Sequence, residues 1–229
     1  MRNLAVQAFV TLDGVMQAPG GQDEDPTGGF RYGGWSVRYW DETMVGRMVE
    51  FMSRPFELLL GRRTYEIFAA HWPHVSGDPI GDALNAAVKH VASGTLERVQ
   101  WGNARLLEGD AGDAVATIKE QPGPEIQVHG SSDLIQTLLA RDLVDELRLW
   151  TFPVVIGEGK RLFGRGATPL GFTLRESLAF DSGVTLTTFT RAATVEPADL
   201  TDSEVMSRFA LDEPSEAERL RRKGLAKES

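Results

Sequence analysis

From the amino terminus, residues 4–11 (LAVQAFVT) form a strand-like apolar run that stops at the turn dipeptide Asp13-Gly14. Residues 18–34 are rich in glycine and proline and carry three adjacent acids, Asp23, Glu24 and Asp25, the composition of a long loop. The spacing then becomes helical. Met44, Val45, Met48, Val49 and Met52 predict a helix over residues 41–53, ended before Pro55. A buried strand at 57–60 and a short helix at 64–70 follow, then a weak helix at 83–88 and strands at 89–92 and 104–107. Asp110 or Asp113 caps a helix that runs to Glu120 and ends in Gln121-Pro122-Gly123-Pro124. After a strand at 126–128, Ser131 or Ser132 can cap a helix with Leu134, Ile135, Leu138 and Leu139 on one face. Residues 147–156 are long and β-rich but broken at Pro153, which suits a sheet edge or a bulge. Alternation over 172–180 and 184–190 predicts an antiparallel hairpin.

Alternating strands and helices followed by a run of strands predict an α/β fold. Its sheet is mixed but mostly parallel, with helices on its faces and an antiparallel C-terminal edge. One domain is expected over residues 1–192. Residues 193–229 differ in kind, being charge-rich and without strand signals, with short helix candidates at 202–211 and 215–223. They read either as a solvated, partly ordered tail or as an arm packed on the body or on a second subunit.

Composition narrows the function. The chain has 229 residues and a formal charge of −9, which disfavours nucleic acid because phosphate backbones need a basic face. Without cysteine there is neither a disulfide framework nor a thiolate metal site. No apolar run is long enough to span a bilayer, and the first residues turn polar too soon for a signal peptide. A cytoplasmic protein with no membrane partner is expected. The four histidines lack metal-ligand spacing, so no metal is expected, and no serine-hydrolase elbow is present.

Two segments carry the candidate chemistry. The runs FELLLGRRTY at 56–65 and EIQVHGSSDL at 125–134 both read as strand, tight turn and helix, a junction whose free amides suit phosphate. In the first, Gly61 permits close approach, Arg62 and Arg63 suit bidentate phosphate contact, and Thr64 adds a hydroxyl; the bland alternative is a turn with surface arginines. In the second, the amides and hydroxyls of Gly130, Ser131 and Ser132 can bind a pyrophosphate, with Asp133 turned away; the alternative is simple helix capping. Two such sites suggest one ligand with two phosphate-bearing ends, such as a dinucleotide. Ser93 and Thr95 follow a third strand and either serve the adenosine end or form a polar turn. Trp35 and Trp40, beside Asp41, form either a stacking wall and polar anchor for a flat substrate or core aromatics next to an N-cap.

Together these pieces resemble the dihydrofolate reductase superfamily, in the branch shared with the C-terminal reductase domain of bacterial riboflavin biosynthesis. The resemblance runs from about residue 2 to 191 and rests on several stretches: TLDGV at 11–15, LLGRRTY at 59–65 with Trp72-Pro73, KHVAS at 89–93, VHGSSDL at 128–134, and LVDE at 143–146 through PVVIGEG at 153–159. It implies a dihydrofolate reductase-like three-layer sandwich and an NADPH-dependent reductase acting on a small heterocycle. By motif position it assigns Gly61, Arg62, Arg63 and Thr64 to the adenosine-phosphate end, with Ser93 and Thr95 nearby. Gly130, Ser131, Ser132, Asp133 and Leu134 follow the pyrophosphate, and Met16 and Gln17 border the nicotinamide. Asp41 is the candidate for polarising or protonating substrate, and a homodimer is expected, with the strand at 147–156 as its interface. The family usually places consecutive glycines where this chain has Gly130-Ser131-Ser132, so a non-catalytic nucleotide-binding or regulatory protein on the same fold is the alternative.

Overall fold

β1 (Leu4–Thr11) lies in the interior of an eight-stranded sheet in the computed structural model, which describes residues 1–164 and 166–195. The order is β4-β3-β2-β5-β1-β6-β8-β7, with β2 at Phe56–Gly61, β3 at Val88–Ala92, β4 at Ala104–Leu106 and β5 at Glu125–His129. β6 is Glu146–Phe152, β7 Phe172–Ala179 and β8 Thr185–Arg191. The first six strands are mutually parallel, while β8 runs antiparallel to β6 and β7 antiparallel to β8. This is the mixed sheet with an antiparallel C-terminal edge that the residue pattern predicts.

Among the described residues five α-helices cover the two faces: α1 (Glu42–Met52), α2 (Arg62–His71), α3 (Pro79–Ala86), α4 (Ala111–Glu120) and α5 (Ser132–Ala140). Period-two alternation on β1 sends Leu4, Val6, Ala8 and Val10 to one face, where they meet Val115 of α4 and Leu134, Ile135, Leu138 and Leu139 of α5. Across the sheet, Leu58 and Leu60 of β2 with Trp150 and Phe152 of β6 pack on Met44, Met48 and Met52 of α1 and Leu84 of α3. The methionines recur at helical spacing, so they form the buried stripe of α1.

Three local expectations change. The helix expected at 83–88 begins earlier because Pro79 occupies its first turn, where proline is tolerated, and Asp78 accepts from the Gly81 amide at 2.8 Å. The strand expected to reach Ile156 ends at Phe152 and is interior, paired by β1 on one side and β8 on the other. Pro153 marks its end rather than a sheet edge, and β6 offers no free strand edge to a second subunit. Ser131, expected to cap α5 with its side chain, makes no such bond and sits in left-handed backbone at φ +71°. The helix candidates at 202–211 and 215–223 lie outside the described residues.

Candidate functional site

β3, β2, β5 and β1 are neighbours in one parallel array, so the segments leaving their carboxyl ends open side by side, the usual place for ligands on such sheets. They enclose a cavity of about 1310 Å³. Single small-ligand pockets usually measure about 300–1,000 Å³, so there is room here for a dinucleotide and a second molecule. β1 leads to Met16 and Gln17, β2 to Gly61, Arg62, Arg63 and Thr64, and β3 to Ser93 and Thr95, all on the cavity wall. β5 leads to Gly130, Ser131, Ser132, Asp133 and Leu134 on the same wall. The four segments singled out separately along the chain thus converge on one space.

The helix starts divide into two kinds. Asp41, Asp78 and Asp110 cap α1, α3 and α4, accepting amide hydrogens of Met44, Gly81 and Asp113 at 2.8, 2.8 and 3.0 Å. α2 and α5, whose first turns line the cavity, have no side-chain cap. First-turn amides left without a side-chain acceptor, at the positive end of a helix dipole, suit an anionic ligand. The two starts are also joined to each other. The Gly61 amide donates to Ser131 Oγ at 2.8 Å, and the Ser131 hydroxyl donates to Thr64 Oγ1 at 2.6 Å. A Cβ at Gly61 would lie 2.9 Å from Ser131 Oγ, so only glycine permits this approach.

Charge at this end is largely paired. Arg62 reaches Glu66 at 3.2 Å on the exposed side of α2. Arg63 and Lys160 both hold the buried Asp25, at 3.1 and 2.5 Å. Burial alone would raise the Asp25 carboxyl, but hydrogen bonds from Lys160 and Thr27 and the Lys160 charge outweigh it and hold the group below its ordinary value. Glu24, which accepts from the Gly20 and Gly21 amides, is pushed up by burial. Gln17 borders the cavity but works as a latch: its Nε2 donates to the Asp25 and Thr27 carbonyls and its Oε1 accepts from the Lys160 amide.

An apolar part of the wall is formed by Phe9, Trp40, Met48, Met52 and Phe68. Trp40 packs edge-on against Phe9 at 5.4 Å between ring centroids. Trp35 is not on the cavity wall; its Nε1 donates to the Gln17 carbonyl at 2.7 Å and its ring packs on Phe152. Asp41 is also absent from the wall, its Oδ1 committed to the start of α1. Its geometry is that of a helix cap, the alternative its sequence position left open.

Residue patterns did not single out Gln7, Asp25, His129 or Lys160, all of which line the cavity. His129 lies within VHGSSDL and Lys160 immediately follows PVVIGEG, so both belong to or adjoin motifs already in view. Asp25 sat in an acidic loop and Gln7 inside a strand, where nothing local marks a wall residue. Burial holds the half-buried His129 imidazole down, to about 4, so it is neutral near pH 7. No cluster of three or more potential metal ligands occurs among the described residues.

The chain matches the RibD C-terminal domain over residues 2–186 and therefore belongs to that family, which is of reductase type. Two Bacillus subtilis proteins are similar to it. The uncharacterised protein YyaP is 27% identical over 192 residues, covering 80% of this chain and 92% of its own. The uncharacterised protein YwjB is 26% identical over 129 residues, 56% of this chain and 70% of its own. Among solved structures, a putative riboflavin biosynthesis protein from Shewanella sp. PV-4 is 24% identical, with a TM-score of 0.60 over 83% of this chain and 99% of its own. A pyrimidine reductase-like protein from Corynebacterium diphtheriae is 12% identical, with a TM-score of 0.53 over 84% and 92% of the two chains. The fold is dihydrofolate reductase-like. No helix among the described residues is long and apolar enough to cross a membrane.

Proposed function

We propose that this protein is a cytoplasmic NADPH-dependent reductase that acts on a small, ring-shaped substrate. The observation that carries the reading is the pair of uncapped helix starts, α2 and α5, opening on one cavity large enough for two molecules. Their first-turn amides and Arg62 would hold the phosphates, and Ser93 and Thr95 would border the adenosine end. Met16 would pack beside the nicotinamide, which when bound supplies a hydride to an unsaturated C=N, C=C or C=O bond. The apolar wall of Phe9, Trp40 and Met48 would hold the second ring and exclude water. The proton that completes the reduction would come from solvent.

The test is calorimetric titration with NADPH and NADH, followed by NADPH oxidation across a panel of pterins, flavins and pyrimidinones. Saturable binding with turnover of one class supports the reading; absence of nucleotide binding removes it. The second reading, a nucleotide-binding protein without catalysis, is favoured by one feature. The Ser131 hydroxyl occupies the Gly61 amide, a donor that a glycine at 131 would leave free. Tight NADPH binding with no oxidation across the panel would decide for it.

A further inference from the structure

Glu24 is a half-buried carboxyl on the cavity wall. Its Oε2 accepts from the Gly20 and Gly21 amides at 2.5 and 2.9 Å, which fixes the side chain and fills that oxygen's lone pairs. Its Oε1 has no hydrogen-bond partner among the described residues and keeps accessible surface. A proton on this carboxyl therefore sits on Oε1, the open oxygen. The other acids of the wall are committed elsewhere. Asp25 holds Lys160 and Arg63, and Asp110 caps α4 and pairs with Arg141. Asp133 lies in the first turn of α5, at the phosphate end of the cavity.

The strip of chain that Glu24 clamps joins two parts of the cavity. It runs along the wall from Met16 to Gly21. The Pro19 carbonyl accepts from Ser36 Oγ at 2.8 Å, and Ser36 Oγ accepts from Trp40 Nε1 at 3.3 Å. The strip thus begins at Met16 and is tied to Trp40 of the apolar wall. Burial raises the Glu24 carboxyl above its ordinary value of 4.5, against the two amides that lower it, and the like charge of Asp25 adds to the rise. Asp23 is exposed, and Lys160 and Arg63 are turned to Asp25. Glu24 so keeps its proton to higher pH than a free glutamate, as a proton carrier working toward neutral pH requires.

We propose that Glu24 is the relay through which the solvent proton reaches the substrate. This rests on the reductase reading and names the side chain that serves it. As hydride from the dinucleotide joins one atom of the substrate double bond, the π electron pair moves to the other atom. Glu24 Oε1 gives its proton to that second atom, so its O–H bond breaks as the new N–H, C–H or O–H bond forms. One hydride and one proton enter the substrate, and the nicotinamide is left oxidised. The carboxylate that remains is held by the Gly20 and Gly21 amides, which suit its charge, and takes its next proton from water.

Carboxyl carbon NMR on the full nucleotide-free chain comes first, a readout that needs no variant to fold. Glu24 should titrate above 4.5, and a midpoint at or below that value overturns the proposal. Calorimetry should give NADPH affinities within about twofold for wild type and Glu24→Gln, whose side-chain oxygen still accepts from the two amides. NADPH oxidation is then followed with 7,8-dihydropterin, FMN and pyrimidin-2(1H)-one as probes, across a range of pH. For the probe turned over, wild-type kcat/KM should fall about tenfold per pH unit above the Glu24 midpoint. Glu24→Gln should be about 100-fold slower below that midpoint and lose this limb, while Glu24→Asp, which keeps a carboxyl, should retain it. An unchanged rate or an unchanged limb in Glu24→Gln removes the relay alone. No NADPH binding by wild type removes the reductase reading and the relay with it. Binding without turnover of any probe decides for the non-catalytic reading and also overturns the relay.

Discussion

The Ser131 hydroxyl oxygen accepts from the Gly61 amide at 2.8 Å, joining the starts of two helices that lie 70 residues apart in the chain. The same hydroxyl donates to Thr64, so one side chain holds the adjoining first turns of α2 and α5 in fixed relation. Ser131 does this from left-handed backbone, a conformation that costs a residue with a Cβ about 1–2 kcal/mol.

Two substitutions at this position separate strain from bonding. Ser131→Gly removes the strain and both hydrogen bonds, worth about 1 kcal/mol each, so the two effects nearly offset and thermal stability should change little. It also frees the Gly61 amide, and NADPH should bind several-fold more tightly by calorimetry. Ser131→Ala keeps the strain and loses the bonds, so its melting point should fall by several degrees. Weaker NADPH binding in the glycine variant would show that the serine hydroxyl serves the ligand instead.

The two arginines of α2 should behave differently. Arg62 pairs with Glu66 on the exposed surface, where such pairs contribute about 0.2–1 kcal/mol. Arg62→Ala should therefore weaken NADPH about tenfold while leaving the melting point within about two degrees. Equal affinity in variant and wild type would take Arg62 out of the phosphate site.

Lys160→Met should be costlier and should depend on pH. It removes the ammonium that keeps buried Asp25 ionised, leaving that carboxylate to Arg63 and Thr27. Because the folded Asp25 pKa lies below its ordinary value of 3.8, its contribution is fully present above that value. It is lost as pH falls through the folded value. The deficit of the variant, about 2–3 kcal/mol near pH 7, should narrow as the pH is taken below 4 in urea titrations. A deficit that does not vary with pH would mean that lost packing, not charge, is responsible.

His129 gives the opposite end of the same scale. Its folded pKa is about 4 against an ordinary 6.5, so between those values the unfolded chain binds the extra proton and stability falls as the solution is acidified. His129→Gln should flatten the stability profile from pH 7 to pH 4 by about 2 kcal/mol relative to wild type. Parallel profiles would place the acid sensitivity elsewhere.

The homodimer, expected from the family resemblance, needs an interface other than the edge of β6. Leu12 and Val155 are 63% and 70% exposed, and the Leu12 amide donates to the Val154 carbonyl, which brings these apolar side chains to neighbouring positions. Light scattering should give twice the mass of one chain, and the double change Leu12→Asp with Val155→Asp should halve it. A wild-type monomer would remove the dimer.

Much of the fold was legible because its signals are short-range. β1 is a short apolar run stopped by a turn dipeptide, α1 carries methionines at helical spacing, and Asp110 can cap α4, each within a window of a few residues. α3 starts at Pro79, earlier than the weak periodicity over 83–88 predicts, and the place of Pro79 in the first turn makes it compatible with the helix. Serine is a favoured cap, which is why Ser131 is a cap candidate by its residue type; in the left-handed turn its hydroxyl instead meets the Gly61 amide at the end of β2.

The sequence alone determined the elements, their mixed α/β alternation, and the two glycine turns that open the cavity. Each depends on residues close together in the chain, whose propensities and periodicities act locally. The tertiary structure decided which helix starts remain uncapped, that Asp25 unites Arg63 with Lys160, and that Gln7 stands beside His129 with an acceptor unfilled. These depend on strand order and register, which bring together residues far apart in the chain, 135 positions for Asp25 and Lys160. Long-range packing sets that pairing, and no local pattern records it.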